Sequence, residues 1–144
     1  MRYSNRGPNI ERMAVQSRPS SVALLAQSRA CLRDAMRSAD VGERFSLSHL
    51  AALRAAAAVV ADRGRPASTR RRLVSVWVLL DSIAPELSEW SALFAASAPF
   101  RAAVDAGAYN AVSARQADDL YRAAGEFIHV VEGLLGMLEA SLAS

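Results

Sequence analysis

The sequence predicts an all-α protein, an up-and-down bundle of four to five helices. Of its 144 residues, 30 are alanine and only 6% are aromatic, and alanine is the best helix former and a poor strand former. Apolar residues recur at the spacing of an amphipathic helix in four long segments, which short loops connect. A chain of this length buries one core, so we expect a single domain over residues 20–144.

The first two helices have clear end signals. The first is predicted to begin after Ser20 or Ser21, which are good N-cap residues. The second is predicted to run from about Ser46, or a little earlier, to Arg63, because Gly64 stands where a C′ glycine would end it. These boundaries place a loop at residues 65–69.

The third long helix contains a proline. Its apolar register continues straight through Pro85, so we expect one helix kinked at Pro85 or two nearly coaxial helices. Pro99 and then residues 107–110 are expected to break the chain again. The last helix opens with Ser113 and Gln116, which have the spacing of a capping box.

The charge is unevenly distributed, and every cation is arginine because the chain has no lysine. Residues 1–19 carry +3 and no apolar period, which predicts a disordered arginine-rich arm. Met13 within it is a hypothetical true start, which N-terminal sequencing would decide. Residues 20–72 carry +6 and residues 73–144 carry −6. Two segments of opposite charge either attract a charged partner or pack against each other within the fold.

Several classes of protein are excluded or disfavoured. One cysteine, Cys31, cannot form an internal disulfide and fits a reducing cytoplasm, and no stretch approaches the roughly 18 apolar residues of a membrane helix. We therefore predict a cytoplasmic protein that does not bind membranes. Glu126 and His129 have the Glu-x-x-His spacing of ferritin-like iron sites, but Ser46 precedes His49 where a second motif needs Glu. No metal site and no cofactor are predicted.

Two constellations are candidate sites. Arg44 and His49 form Arg-x-x-x-x-His, in which an arginine that holds a phosphate and a histidine that moves a proton would cleave RNA without metal. The interpretation that the sequence favours is a packed or partly exposed histidine, because His49 adjoins the apolar stripe of Leu50 and Leu53. The second candidate is a cluster of five arginines around a turn, which suits polyanions. It is more typical of a solvated loop after a helix C-terminus, because no aromatic residues for base stacking are interleaved with it. Its members are Arg63, Arg65, Arg70, Arg71 and Arg72.

Several segments resemble one actinobacterial family of HEPN-domain proteins, named after a Streptomyces member. From Val76 onward the similar stretches are VWVLL, APELSEW and SARQADDLYRAAGEF, and the stretch HLAALRAAAAVV behind Arg44 and Phe45 resembles the second helix of the family. The resemblance covers about residues 22–139.

This resemblance implies a helical bundle, often a homodimer, that is associated with nucleotide or RNA binding. Many HEPN proteins are metal-independent ribonucleases, and Arg44 and His49 match the spacing of their site. Phe45, however, stands where those enzymes have a polar residue, and the pair lies in the second helix instead of near the last. We therefore expect a non-catalytic HEPN module that binds nucleotide, nucleic acid or a protein partner. The alternatives are a ribonuclease and a structural dimerisation protein.

Overall fold

Over the residues that the structure describes, the fold is a bundle of five α-helices, as a computed structural model shows. The structure describes residues 20–64, 74–108 and 110–136, and no β-strand occurs among them. The predicted arm at residues 1–19 lies outside these ranges. The helices are α1 (Ser21–Arg37), α2 (Val41–Arg63), α3 (Val76–Ile83), α4 (Ser88–Asp105) and α5 (Ala114–Leu134). A short 3₁₀ helix, Pro85–Leu87, separates α3 from α4.

The predicted helix ends at three positions are confirmed. Ser20 caps α1, since its hydroxyl accepts a hydrogen bond from the Ala23 amide at 3.1 Å. Gly64 ends α2 with a φ of 81°, a conformation that favours glycine. Ser113 and Gln116 form the reciprocal capping box of α5, with bonds of 3.1 and 2.7 Å.

The start of α2 lies five residues before the predicted Ser46. Asp40 is the N-cap, and its carboxylate accepts a hydrogen bond from the Gly42 amide at 3.2 Å. Gly42 disfavours a helix by propensity, but a side chain there would meet Val104 of α4 at 3.0 Å. Close approach of α4 therefore favours glycine in the first turn of α2, because a larger residue would displace the Val104 side chain.

The third long helix is neither one kinked helix nor two coaxial ones. The Trp77 and Phe94 rings stack with centroids 5.3 Å apart, whereas 17 residues of continuous helix would separate them by about 25 Å. The chain therefore turns back at Pro85, and α4 packs beside α3. The missing N–H of Pro85 removes one helical hydrogen bond, and Ala84 before it leaves helical geometry with φ −139° and ψ 68°.

Pro99 does not break the chain as predicted. It lies inside α4, which continues six residues beyond it to Asp105. A proline in a helix leaves one backbone carbonyl without its usual donor, here that of Ala95. Pro99 and Ala95 are both exposed, so water can satisfy this carbonyl and the helix continues.

The basic and acidic halves of the chain face each other. Three ion pairs each join an arginine of residues 20–72 to an acid of residues 73–144, which is the intramolecular alternative that the charge pattern left open. The pairs are Arg29–Glu132, Arg44–Asp118 and Arg63–Glu86.

The core has an aromatic part and an alanine part. Trp77, Trp90, Phe94 and Phe127 form one cluster with ring centroids 5.2–6.4 Å apart. Along α2, five alanines are fully buried, and α1 and α5 pack closely against this helix. They are Ala51, Ala52, Ala55, Ala56 and Ala58.

Helix α2 is the one described helix that is long and apolar enough to cross a membrane, by length and composition alone. This differs from the expectation that no stretch of the sequence approaches a membrane helix. Half of its most apolar 18-residue window is buried inside the bundle, and this is the pattern of a core helix that packs against other helices.

Candidate functional site

The structure does not bring Arg44 and His49 together. They could converge on one phosphate only if Arg44 preceded the helix, but α2 begins at Val41 and holds both residues. Five positions of a regular helix place two side chains about 140° apart around its axis. The two residues accordingly contact different helices.

Arg44 is held at the N-terminal end of α5. Its guanidinium donates to a carboxylate oxygen of Asp118 at 2.6 Å and to the carbonyl oxygen of Ser38 at 3.2 Å. These bonds join α5 and the α1–α2 turn to the first turns of α2. Arg44 therefore has a structural role in the described fold.

His49 is buried between α2, α3 and α4, with 2% of its surface exposed. Its Nδ1 lies 2.8 Å from the hydroxyl of Ser97, and that hydroxyl donates to the carbonyl oxygen of Phe94 at 2.8 Å. Because the Ser97 proton is committed to Phe94, Nδ1 of His49 carries the proton and donates. The imidazole also packs edge-on against Trp77, at a centroid distance of 5.9 Å.

Burial keeps His49 neutral. Loss of hydration and, to a lesser extent, the nearby cation of Arg101 together lower the pKa of His49 from 6.5 to about 4, and Asp105 opposes them. At neutral pH the ring is therefore uncharged and serves as a hydrogen-bonded core residue. Of the packed or partly exposed histidine that the sequence favours, the structure has the packed form.

Glu126 and His129 are both exposed on α5. Over the described ranges, no group of three or more His, Cys, Asp or Glu residues lies close enough together to hold a metal ion.

Comparison with models of known protein families identifies the family of this chain. The model of a HEPN family that is named after a Streptomyces protein matches residues 35–132, more than half of the chain. The protein belongs to this HEPN family. Searches of the curated proteins and of the solved structures found no match.

In this HEPN domain, the structure describes one arginine of the predicted polyanion-binding cluster. Arg63 ends α2 and donates to both carboxylate oxygens of Glu86, at 3.2 and 2.8 Å, and to the carbonyl oxygen of Ile83 at 3.1 Å. The hydrogen bonds raise the pKa of Arg63 and lower the pKa of Glu86. Arg63 is thus occupied within the fold. The other four lie outside the described residues: Arg65, Arg70, Arg71 and Arg72.

Polyanion binding by this cluster stays a prediction, with a direct test. Replacing Arg70, Arg71 and Arg72 with glutamine is expected to weaken RNA or DNA binding and to reduce its salt slope by about 3, since each lost phosphate contact lowers the slope by roughly 1. Fluorescence anisotropy across a salt series measures both. Protein starting at Met13 is the control for the arm, and wild-type protein that binds no polyanion at low salt would contradict the prediction.

Sequence reasoning missed an exposed apolar surface on α4. Between Glu89 and Arg101 this helix has no charged residue, and six of its side chains there are exposed. We name them the α4 face: Ala92, Leu93, Ala95, Ala96, Pro99 and Phe100. The sequence signal for this surface is the run of eleven uncharged residues, 90–100. The apolar stripe through Trp90 and Phe94 accounts only for the inward side of the helix.

Grooves flank the α4 face on both sides. One, of about 300 Å³, lies between α4 and α5 above Phe45, and Leu93, Phe100 and Leu120 line it. The other, of about 260 Å³, lies between α3 and α4 beside Val78. Surface patches of this kind on a water-exposed helix typically mark interaction sites.

Proposed function

We propose that this HEPN domain is a non-catalytic module that works by binding a protein partner. The observation that carries the first part is the position of His49, which is buried, neutral and about 140° around α2 from Arg44. A general acid or base must reach the proton that it transfers. His49 is instead hydrogen-bonded to Ser97 through Nδ1, and Arg44 forms an ion pair with Asp118.

The absence of ribonuclease activity is the first expected result. Purified protein in EDTA is expected to release no more product from single-stranded RNA than His49→Ala and Arg44→Ala do, because the two side chains cannot meet at one phosphate. A fluorogenic RNA substrate measures the rate. Cleavage by wild-type protein that both substitutions abolish would establish the ribonuclease alternative instead.

The α4 face supports a protein as the partner. Nucleic-acid surfaces combine cations with exposed aromatic rings that stack on bases, whereas this face has no charge. The described acid Asp119 stands at the edge of its groove. Interaction surfaces between proteins have an apolar centre and a polar rim. The α4 face corresponds to such a centre, and the polar Gln116 and Asp119 line the groove beside it. The binding of a protein partner is tested with the variant Leu93→Asp. This variant is expected to keep the helicity of the wild-type protein and to lose the partner.

A further inference from the structure

The groove between α3 and α4 has a polar end and an apolar end. Because the chain turns back at Pro85, residues of α3 and α4 that are equally far from this proline along the chain lie side by side. The stacked rings of Trp77 and Phe94 show this pairing. Asp81 and Ser88 therefore line the end of the groove nearest the turn. The apolar end is lined by Val78, Ala92 and Ala95.

Asp81 is a carboxylate that the described fold leaves without a cation. It is exposed on α3 and forms no ion pair with any described residue. No arginine is among the described residues that line its groove. The polar end of the groove therefore attracts a cation and disfavours the phosphates of a nucleic acid.

Ser91 adds an unused hydrogen-bonding group to the same groove. It lines the groove with only 4% of its surface exposed, and its hydroxyl has no hydrogen-bond partner among the described residues. A buried hydroxyl without a partner costs stability, and most such groups in folded proteins are satisfied. A donor that enters the groove would satisfy Ser91 once rotation about its Cα–Cβ bond turns the hydroxyl toward the groove.

We propose that the groove between α3 and α4 holds an arginine side chain of the protein partner. This inference rests on the proposed function, because it names one residue that the partner presents to the α4 face. Ala92 and Ala95 belong both to this face and to the groove, so a partner that covers the face also covers the groove. Arginine is enriched among the residues that anchor protein interfaces.

The two parts of an arginine side chain match the two ends of the groove. The aliphatic stem of arginine packs on apolar surface, which Val78 and Ala92 provide. The planar guanidinium pairs with a carboxylate through two parallel hydrogen bonds, and Asp81 provides the carboxylate. Three of its five N–H donors then remain, and the hydroxyls of Ser88 and Ser91 are acceptors for them.

The size of the groove favours a single side chain over a whole ligand. Its volume of about 260 Å³ lies below the roughly 300–1,000 Å³ of pockets that enclose a small molecule. The main chain of the partner therefore lies on the α4 face, and one of its side chains enters the groove.

A mimic of the arginine side chain tests the groove without the partner. n-Butylguanidinium has the head group of arginine on an alkyl chain, and n-butylurea is its neutral counterpart of similar shape. In NMR titrations of isotope-labelled protein at constant ionic strength, n-butylguanidinium is expected to shift the amide signals of residues 76–83 and 88–95 saturably. The dissociation constant of n-butylurea is expected to be about tenfold higher, because it lacks the charge that pairs with Asp81. Equal affinities for the two probes would overturn the proposal.

Substitutions locate the head group of the probe. Asp81→Asn is expected to raise the dissociation constant of n-butylguanidinium about tenfold. Asp34→Asn is the matched control and is expected to leave it unchanged, because Asp34 is exposed on α1, which packs against α2 and α5. Ser91→Ala is expected to weaken binding roughly threefold without lowering the free energy of unfolding, since it removes a hydroxyl that has no partner in the described fold. Binding that Asp81→Asn does not weaken would refute the proposal.

Failure of this proposal is distinguishable from failure of the proposed function. If Leu93→Asp loses a protein partner that Asp81→Asn still binds as tightly as wild-type protein does, the proposed function stands and the arginine site is refuted. If the groove binds n-butylguanidinium through Asp81 but the α4 face binds no protein, the proposed function is refuted and the groove remains a guanidinium site.

Discussion

Phe94→Ala is expected to lower the free energy of unfolding by about 3–5 kcal/mol, the usual range for removing a large aromatic residue from a core. Phe94 is fully buried on α4, and its ring lies 5.2–6.2 Å from those of Trp77, Trp90 and Phe127. Truncation leaves a cavity against three rigid rings, which close it poorly.

Urea denaturation followed by circular dichroism measures this loss. Met36→Ala is the control, because its side chain is 72% exposed and truncation of such a residue changes stability by about 0.5 kcal/mol or less. Equal losses for the two variants would contradict the central place that the structure gives to the aromatic cluster.

Acid is expected to destabilise the protein through His49. Burial lowers the pKa of this histidine from 6.5 to about 4 in the folded state, so the unfolded chain binds the proton more tightly between these values. The stability that neutral His49 provides is therefore complete above about pH 6.5 and is lost as the pH falls to about 4. A shift of this size corresponds to about 3 kcal/mol.

The comparison of variants isolates this contribution from that of the carboxylates. Urea midpoints at pH 7 and pH 4.5 are expected to differ less for His49→Gln than for wild-type protein. His129→Gln, which alters the other histidine of the chain at an exposed position, is expected to keep the full wild-type difference. If His49→Gln kept it as well, the acid sensitivity would come from other groups.

The fold was predictable wherever a local signal coincides with the global structure. The caps at Ser20, Gly64 and Ser113 depend on neighbouring backbone groups alone, so sequence spacing identified them. The start of α2 did not follow the same logic, because Gly42 weakens the helix locally and its reason, the approach of Val104, is tertiary. The reversal at Pro85 is also tertiary, since an apolar stripe has the same spacing in one helix as in two helices that fold back.

The candidate site was less predictable for a related reason. Whether Arg44 and His49 meet depends on where α2 begins, and an error of five residues reverses the answer. Burial of His49 depends on α3 and α4, which the sequence does not place. Predicting the α4 face would require knowing which side of α4 has no neighbouring helix. The periodicity of apolar residues does not distinguish a covered apolar side from an exposed one.

At the five buried alanines of α2, the size of the side chain limits which residues fit more than its hydrophobicity does. In an ordinary core, truncation of a large side chain to alanine lowers the stability of the fold. Here alanine is already the native residue, and Ser28 of α1 reaches across to the carbonyl oxygen of Ala51 at 2.6 Å. A valine or leucine at any of these positions would push away the helix that packs against it there. At these five positions, a replacement larger than serine is therefore expected to destabilise the bundle, however apolar it is.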